Sequence, residues 1–479
     1  MKNKRVSFFI ITFLYLIPCE AVCSVDLVYI SSSTGNDSNK GTEENPLKTI
    51  RAGKKTGASD ILLKAGDVFY ENVTLDGVNL RKYGVGNNPI ICGYKRIKKP
   101  SQWESVSENI WRISLAEGDY SGIDYKGSLP YNNIGCIHEY DNDVIHGRRV
   151  RILDNLKEDW DFWQSSDYKS KNYGNFDNLY LYFSGDPREL KLEFSTGVIG
   201  ITVKNACIEN INVEGFAIHG ISPQSNSIIK NCRVDAIGGE LFLGFKTFVC
   251  LGNGIEVYVG EDVENCLVEG CYISRCYDCG CSIQGSNRGT ATPRNIIFRD
   301  NLITNCCQWW EDFLCNDDNV KYENCVFENN VIVGCGNSGF GYADGRFKYC
   351  NVLGNNVNGD KGMIIRRNLF VGGNFYCSGA YEGGYRSNLW EDNTFISNRG
   401  NWLLSNYNGT RDITMIPQDK GKFKSIREAT KDAIGYYREK TGDSTTTFIV
   451  KSQRTVSRRG RKAIAAYLKK HNDIGFVSK

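Results

Sequence analysis

The chain has 479 residues, a net charge of +3, 12% aromatic residues, and fifty glycines against nine prolines. That length exceeds a usual compact domain but suits an elongated repeat protein, and so small a charge gives no support to a nucleic-acid partner. Abundant glycine with little proline fits many tight turns of positive φ, and the aromatics suffice for a core and for a sugar-stacking surface.

Residues 1–23 read as a signal peptide. Lys2, Lys4 and Arg5 precede an almost wholly apolar run, Val6 to Ile17, which ends at Pro18 and the small-residue region Ala21-Val22-Cys23-Ser24. Cleavage is expected near Ala21 or Cys23. About a dozen apolar residues falls short of the roughly 20 that a membrane span needs, so no stable span is expected after cleavage. The alternative is a retained anchor helix. The mature chain is expected to be exported to the periplasm, the cell surface or the medium.

The next segment, 24–95, opens LVYISSSTGNDSNKGTEENPLKTI. Thr49 to Lys55 follows as a short helix, and ILLKAGDVFYENVTL gives two alternating strands split at Gly66-Asp67. The extended YISSSTGND segment, the GT–NP–TI turn into a helix and the I-L-L-x-x-G-D strand resemble the opening of right-handed parallel β-helix proteins of the pectate-lyase-like superfamily, of the bacterial, exported, glycan-processing type. The resemblance implies that the short helix caps the end of the stack, whose open end would otherwise expose apolar side chains and unpaired backbone.

Residues 96–199 carry Trp103, Trp111, Trp160 and Trp163 and the strong strand LYLYFSG. They read as early coils interrupted by a β-rich insertion. The β-helix core is expected over 200–405, where seven segments share one pattern. Their centres are Ile211, Cys232, Cys271, Asn301, Asn330, Asn368 and Asn393. Val213, Val234, Ile273, Ile303, Ile332, Phe370 and Phe395 follow two residues later. A constant short core at irregular steps means stacked coils with loops of variable length. Equivalent residues then lie about 4.8 Å apart. The later asparagine centres are expected to form an internal amide ladder. Cys276, Cys306 and Cys335 share another repeat position and read as a column of free, buried thiols. The fold class is therefore all-β: a right-handed parallel β-helix with an N-terminal helical cap, a β-rich insertion and a small helical C-terminal tail.

That tail, 406–479, changes character. Ser425 to Glu428 form a capping box, Ile426, Ala429, Ala433, Ile434 and Tyr437 recur at helical spacing, and Gly442 is a stop. A second helix is expected over Arg458 to Lys470. The many Lys and Arg residues there form a solvated flank or a surface for an anionic glycan.

The long steps place bulging loops around RCYDCGCSIQGSN and CCQWWEDFLCNDDN, and such loops would wall a groove for an extended chain. Counting from the centres puts His219 and Glu240 one rung apart with Asp278 beside the following rung. Glu256 lies in the NGIE strand, and Glu311 beside Trp309 and Trp310. Paired carboxylates are what glycosidic hydrolysis needs: one protonates the leaving oxygen, the other activates water or attacks. Asp278 and Glu256 are the expected catalytic pair, with Glu240 and Glu311 as alternates. His219, Trp309, Trp310, Tyr342 and Arg346 are the expected substrate-binding residues. Adjacent Trp309 and Trp310 alternate faces, so one of them is expected in the core. Each carboxylate also has a plain structural reading, Glu256 as an outward strand residue and Asp278 as a turn former. Arg346, Arg366 and Arg367 could pair substrate carboxylates or sulfates. The Asn-Thr-Asp and Gly-His-Gly signatures of polygalacturonase-type hydrolases are absent, so no catalytic residue is carried over from them. No cofactor and no metal are expected. The Asp317-Asp318 turn is the one place where hard oxygen ligands could gather calcium.

These features favour an exported enzyme that binds a polysaccharide or oligosaccharide and hydrolyses it. A polysaccharide lyase, using Lys361 or Arg366, is the second reading. A non-catalytic glycan-binding or surface-structural protein is the third.

Overall fold

A computed structural model describes residues 26–123, 131–165, 176–242, 249–285, 291–314, 322–336, 351–352, 362–372, 375–379, 388–398, 402–406 and 426–471. Three parallel sheets form the stack. Sheet A has ten strands, from Leu27–Ile30 to Leu389–Glu391. Sheet B has ten, from Val68–Phe69 to Thr447–Lys451. Sheet C has six: Val73–Asp76, Ile201–Lys204, Ile221–Pro223, Ile255–Tyr258, Cys279–Gly285 and Gln308–Leu314. Successive coils pair in parallel at every step of these sheets, as in Val234↔Ile273, Ile273↔Ile303, Ile303↔Ile332 and Ile332↔Phe370. The protein is a parallel β-helix, and the apolar residues two positions after each centre form its core.

Helix α1 (Ile50–Lys55) closes the N-terminal end. Thr49 caps it through its side chain, and Ile50 and Gly53 are buried against the first coil. The insertion falls between neighbouring coils. Val73–Asp76 pairs directly with Ile201–Lys204, and Ile90–Cys92 with Asn212–Glu214. The intervening residues build two five-stranded sheets, largely antiparallel, around a separate core that includes Trp103, Phe162, Leu179 and Phe194.

Three columns hold the stack in register. Inside, the backbone N–H of Asn301 donates to Asn330 Oδ1 at 2.9 Å, that of Asn330 to Asn368 Oδ1 at 2.9 Å, and that of Asn368 to Asn393 Oδ1 at 3.0 Å. Each side-chain amide donates to the same acceptor and to a backbone carbonyl, so the polar groups of a dry turn are satisfied. The residue before each of the seven centres has positive φ: Asn210, Asn231, Gly270, Asp300, Asn329, Arg367 and Asp392. Asn, Asp and Gly tolerate that conformation best. A second column is the thiol row. Cys306 lies within hydrogen-bonding reach of Cys276 and Cys335, all three are free, and burial pushes the Cys306 thiol up.

The third column lies on the outer face of sheet A and alternates in charge. Arg81, Glu209, Lys230, Glu269, Arg299, Glu328, Arg366 and Glu391 are successive register partners. Lys230 and Glu269 approach to 3.3 Å, and Arg366 lies 2.7 Å from Glu328 and 3.5 Å from Glu391. Arg366 and Arg367 both pair with Glu328 here, which places them in the wall. Each surface pair contributes only about 0.2–1 kcal/mol, but a slip of one coil would set like charges together.

Helices α2 (Ile426–Thr441) and α3 (Gln453–Lys470) follow the last coils. Tyr437 of α2 packs on Trp390 and Phe448. Between the helices, Thr447–Lys451 adds a strand to sheet B that the sequence reading did not foresee, with Phe448 opposite Phe395. Helix α3 lies across the outer face of sheet B. Its Val456 and Tyr467 are buried against Val371, Ile396, Tyr272 and Leu302, while Arg454, Arg458, Arg461 and Lys462 are exposed.

Candidate active site

The site forms where sheet B turns into sheet C. One corner position is held by Gly220, Gly254 and Gly280. A Cβ there would come within 2.4 Å of Val234, 2.5 Å of Ile273 and 2.5 Å of Ile303, side chains that fill the interior from sheet B. Glycine is therefore required, and the chain passes close against the core. The neighbouring corner column is His219, Asn253, Cys279 and Gln308. The pairings Ile221↔Ile255, Ile255↔Cys281 and Cys279↔Gln308 set it.

In the strand Ile255–Tyr258, Ile255 and Val257 point into the core, which leaves Glu256 on the outer face. Glu256 is buried all the same, and its Oε2 has two neighbours. His219 Nε2 lies 3.3 Å away, and the Asn253 side-chain amide donates a short hydrogen bond. The backbone N–H of Asn253 donates to His219 Nδ1 at 3.2 Å. That fixes Nδ1 as an acceptor, so the imidazole proton sits on Nε2, facing Glu256. Burial pushes the His219 pKa down, opposed by the Glu256 carboxylate. Asn253 Oδ1 in turn accepts from the backbone N–H of Cys279 at 3.1 Å. One asparagine thus orders three neighbouring coils.

Asp278 lies one coil further on and is partly exposed. Gln308 Nε2 donates to its Oδ1 at 2.7 Å. Its pKa is pushed up to about 6. Burial is the largest cause and the nearby Glu256 carboxylate adds to it, while the Gln308 hydrogen bond opposes. Asp278 and Glu256 are therefore an interacting pair of carboxyl groups. Its partly exposed member takes up a proton near pH 6.

Glu240 is not one rung above His219. The Gly238-Gly239 pair shifts the register by one residue, so the backbone N–H of Glu240 donates to Ala217 and Glu240 lies opposite Ile218; the chain then departs through the Leu241–Cys250 bridge, and Asn253 takes the rung at His219. Glu240 Oε1 accepts from Asn133 of the insertion at 3.1 Å, and its Oε2 makes no hydrogen bond among the described residues. Its pKa is pushed up to about 8 by burial, with Arg149 and the Asn133 hydrogen bond opposing. This is a neutral carboxyl under the insertion, hydrogen-bonded to Asn133.

Trp309 and Trp310 are both fully buried. Trp310 follows the inward register of Cys281. Trp309 occupies the corner position that is glycine in the three preceding coils, and its ring packs 5.2 Å from Phe327 and 4.8 Å from Phe370. Strand alternation fails at a corner, so neither ring is offered to a sugar. Glu311 holds the register position after Ser282, which itself follows Glu256. Tyr342, Arg346, Lys361 and the Asp317-Asp318 turn lie outside the described residues. Asn253 and Gln308, the two amides that hold the pair, were not singled out from sequence. The signal for Asn253 was its place three residues before Glu256 in GNGIE. Among the described residues no group of three His, Cys, Asp or Glu side chains gathers as a metal site would require.

No family model matches the chain, and no curated protein matches its sequence. Among solved structures it is similar to a glycoside hydrolase, with a TM-score of 0.42, 11% identity, and coverage of 91% of this chain and 98% of that one. It is also similar to XylC, described in complex with xylose, with a TM-score of 0.32, 12% identity, and coverage of 88% and 82%. A GH136 lacto-N-biosidase from Eubacterium ramulus matches with a TM-score of 0.32 and 12% identity, over 78% of this chain and 64% of that chain. At such identities the case for an activity rests on the side chains themselves.

Proposed function

We propose that the chain is an exported carbohydrate-active enzyme, a β-helix protein of the pectate-lyase-like superfamily, that cleaves a polysaccharide by glycoside hydrolysis. Asp278 is the general acid and Glu256 the partner carboxylate that activates water or attacks the anomeric carbon. The observation that supports this reading is the interacting pair itself. A partly exposed carboxyl pushed up to about 6, in part by the Glu256 carboxylate, lies one coil beyond that buried carboxylate, whose Oε2 accepts from Asn253 and lies 3.3 Å from His219 Nε2. Hydrolysis needs two carboxyl groups in different roles. The acid must still carry its proton when it meets the glycosidic oxygen, and the partner must present an oxygen in a fixed place. His219, with its Nε2 3.3 Å from Glu256 Oε2, flanks that carboxylate without taking part in the exchange. Of the two residues offered for a lyase mechanism, Lys361 lies outside the described residues and Arg366 is tied into the charge-alternating wall.

The test is to incubate purified protein with a panel of plant, microbial and host glycans and to follow new reducing ends together with unsaturated uronate products. New reducing ends without unsaturation fit the proposal. Unsaturated products would make it a lyase, and neither product across the panel would favour a binding protein.

A further inference from the structure

We propose that Tyr258, flanked by Gln224 and Gln284, forms a binding subsite for an uncharged sugar unit next to the Asp278–Glu256 pair. This rests on the glycan-cleaving reading of that pair. Tyr258 is 40% exposed and lies two residues beyond Glu256 on the same outer face of its strand. Two strand residues span about 6.6 Å, near the length of one hexopyranose unit. Gln284 is its register partner on the following coil, and Gln224 holds the matching position on the preceding coil, one residue beyond the sheet C strand Ile221–Pro223. Both are partly exposed. A row of carboxamide, phenol and carboxamide thus crosses three coils.

The ring has a prepared bed. A Cβ at Gly260 would lie 3.0 Å from Tyr258 Cε1, so the aromatic ring extends along the strand over a residue without a side chain. An aromatic face suits the C–H face of a pyranose, and carboxamides can both donate to and accept from its hydroxyls. The row itself carries no charge. Lys204 holds the matching position on the coil before Gln224 and lies 3.8 Å from Glu261, whose carboxylate offsets its charge. A uronate bound here would bring its carboxylate toward Glu256, and none of the three side chains of the row is a cation to meet it. These side chains select hydroxyls, and the substrate class they fit is a neutral glycan.

Binding is measured by calorimetry on the Asp278→Asn protein, which prevents turnover, with cello-, xylo- and galacto-oligosaccharides and an oligogalacturonate as probes. At least one neutral probe should bind in preference to the oligogalacturonate. Tyr258→Ala in that background should weaken it about fivefold to tenfold, and Tyr258→Phe should change it by less than about twofold. An unchanged melting temperature shows that the exposed substitution leaves the fold intact. Unchanged affinity in Tyr258→Ala, preference for the oligogalacturonate, or no binding of any neutral probe overturns the subsite. Neutral binding that depends on Tyr258, in a wild-type protein that cleaves nothing, would retain the subsite and refute the hydrolase reading. Cleavage with a KM indifferent to Tyr258→Ala would do the reverse.

Discussion

His219 Nε2 stands 3.3 Å from Glu256 Oε2, while Nδ1 of the same ring accepts the backbone N–H of Asn253. Asn253→Ala keeps that backbone donor and removes only the amide on Glu256 and the acceptor for Cys279. Steady-state kinetics should show kcat reduced about 10–100-fold with KM changed less than about threefold, because a displaced catalytic oxygen costs chemistry more than binding. A change confined to KM would place Asn253 in substrate binding instead.

The raised pKa of Asp278 sets two pH dependences. As general acid it must be protonated, so kcat/KM should fall above about pH 6, where Asp278 titrates. For stability the sign is the reverse of a salt-bridged carboxylate. A folded value above the unfolded one contributes stability that is fully present below the ordinary carboxylate range and is lost as pH rises through about 6. Asp278→Asn carries no charge to bury. Denaturant unfolding should show it more stable than wild type near neutral pH, by on the order of 1–2 kcal/mol after allowance for the partial exposure of the carboxyl, with little difference in acid.

Glu240 behaves differently because it is buried under the insertion. Its contribution to stability is full below the ordinary glutamate range and declines as pH rises through about 8. Glu240→Gln should therefore flatten the loss of melting temperature between about pH 5 and pH 8.5 while cleavage activity stays within about twofold. A large loss of activity would return Glu240 to the catalytic set.

The register columns make a prediction about the architecture. Asn330→Ala deprives the Asn301 backbone N–H of its acceptor in a dry interior, at a cost of about 1–3 kcal/mol in chemical unfolding. On the surface, Arg299→Glu would set a third acid between Glu269 and Glu328. It should destabilise by more than Arg299→Ala does, and the difference should shrink in high salt.

Much of the stack was readable in the amino-acid sequence because the interior repeats chemistry at fixed offsets. Cys276, Cys306 and Cys335, the asparagine centres and the Val/Ile/Phe positions all face the same packed interior, so their spacing survives loops of any length. The site was readable only in part. Asp278 does feel the Glu256 carboxylate, but His219 and Glu240 are not opposite each other. A count cannot see the one-residue shift at Gly238-Gly239, which sets Glu240 opposite Ile218 and leaves the rung at His219 to Asn253. The two tryptophans failed for a related reason. Alternation predicts opposite faces for neighbours within a strand, whereas Trp309 sits at a corner whose glycine partners show the position to be interior. The charge alternation on sheet A was invisible in the chain because its members are scattered across eight coils.

The most direct measurement is product release from the glycan panel by wild type, Asp278→Asn and Glu256→Gln, with folding verified for each. The account predicts new reducing ends from wild type and a loss of about a thousandfold or more in both variants, as expected when either member of an acid–base pair is removed. Full activity in either variant would contradict it.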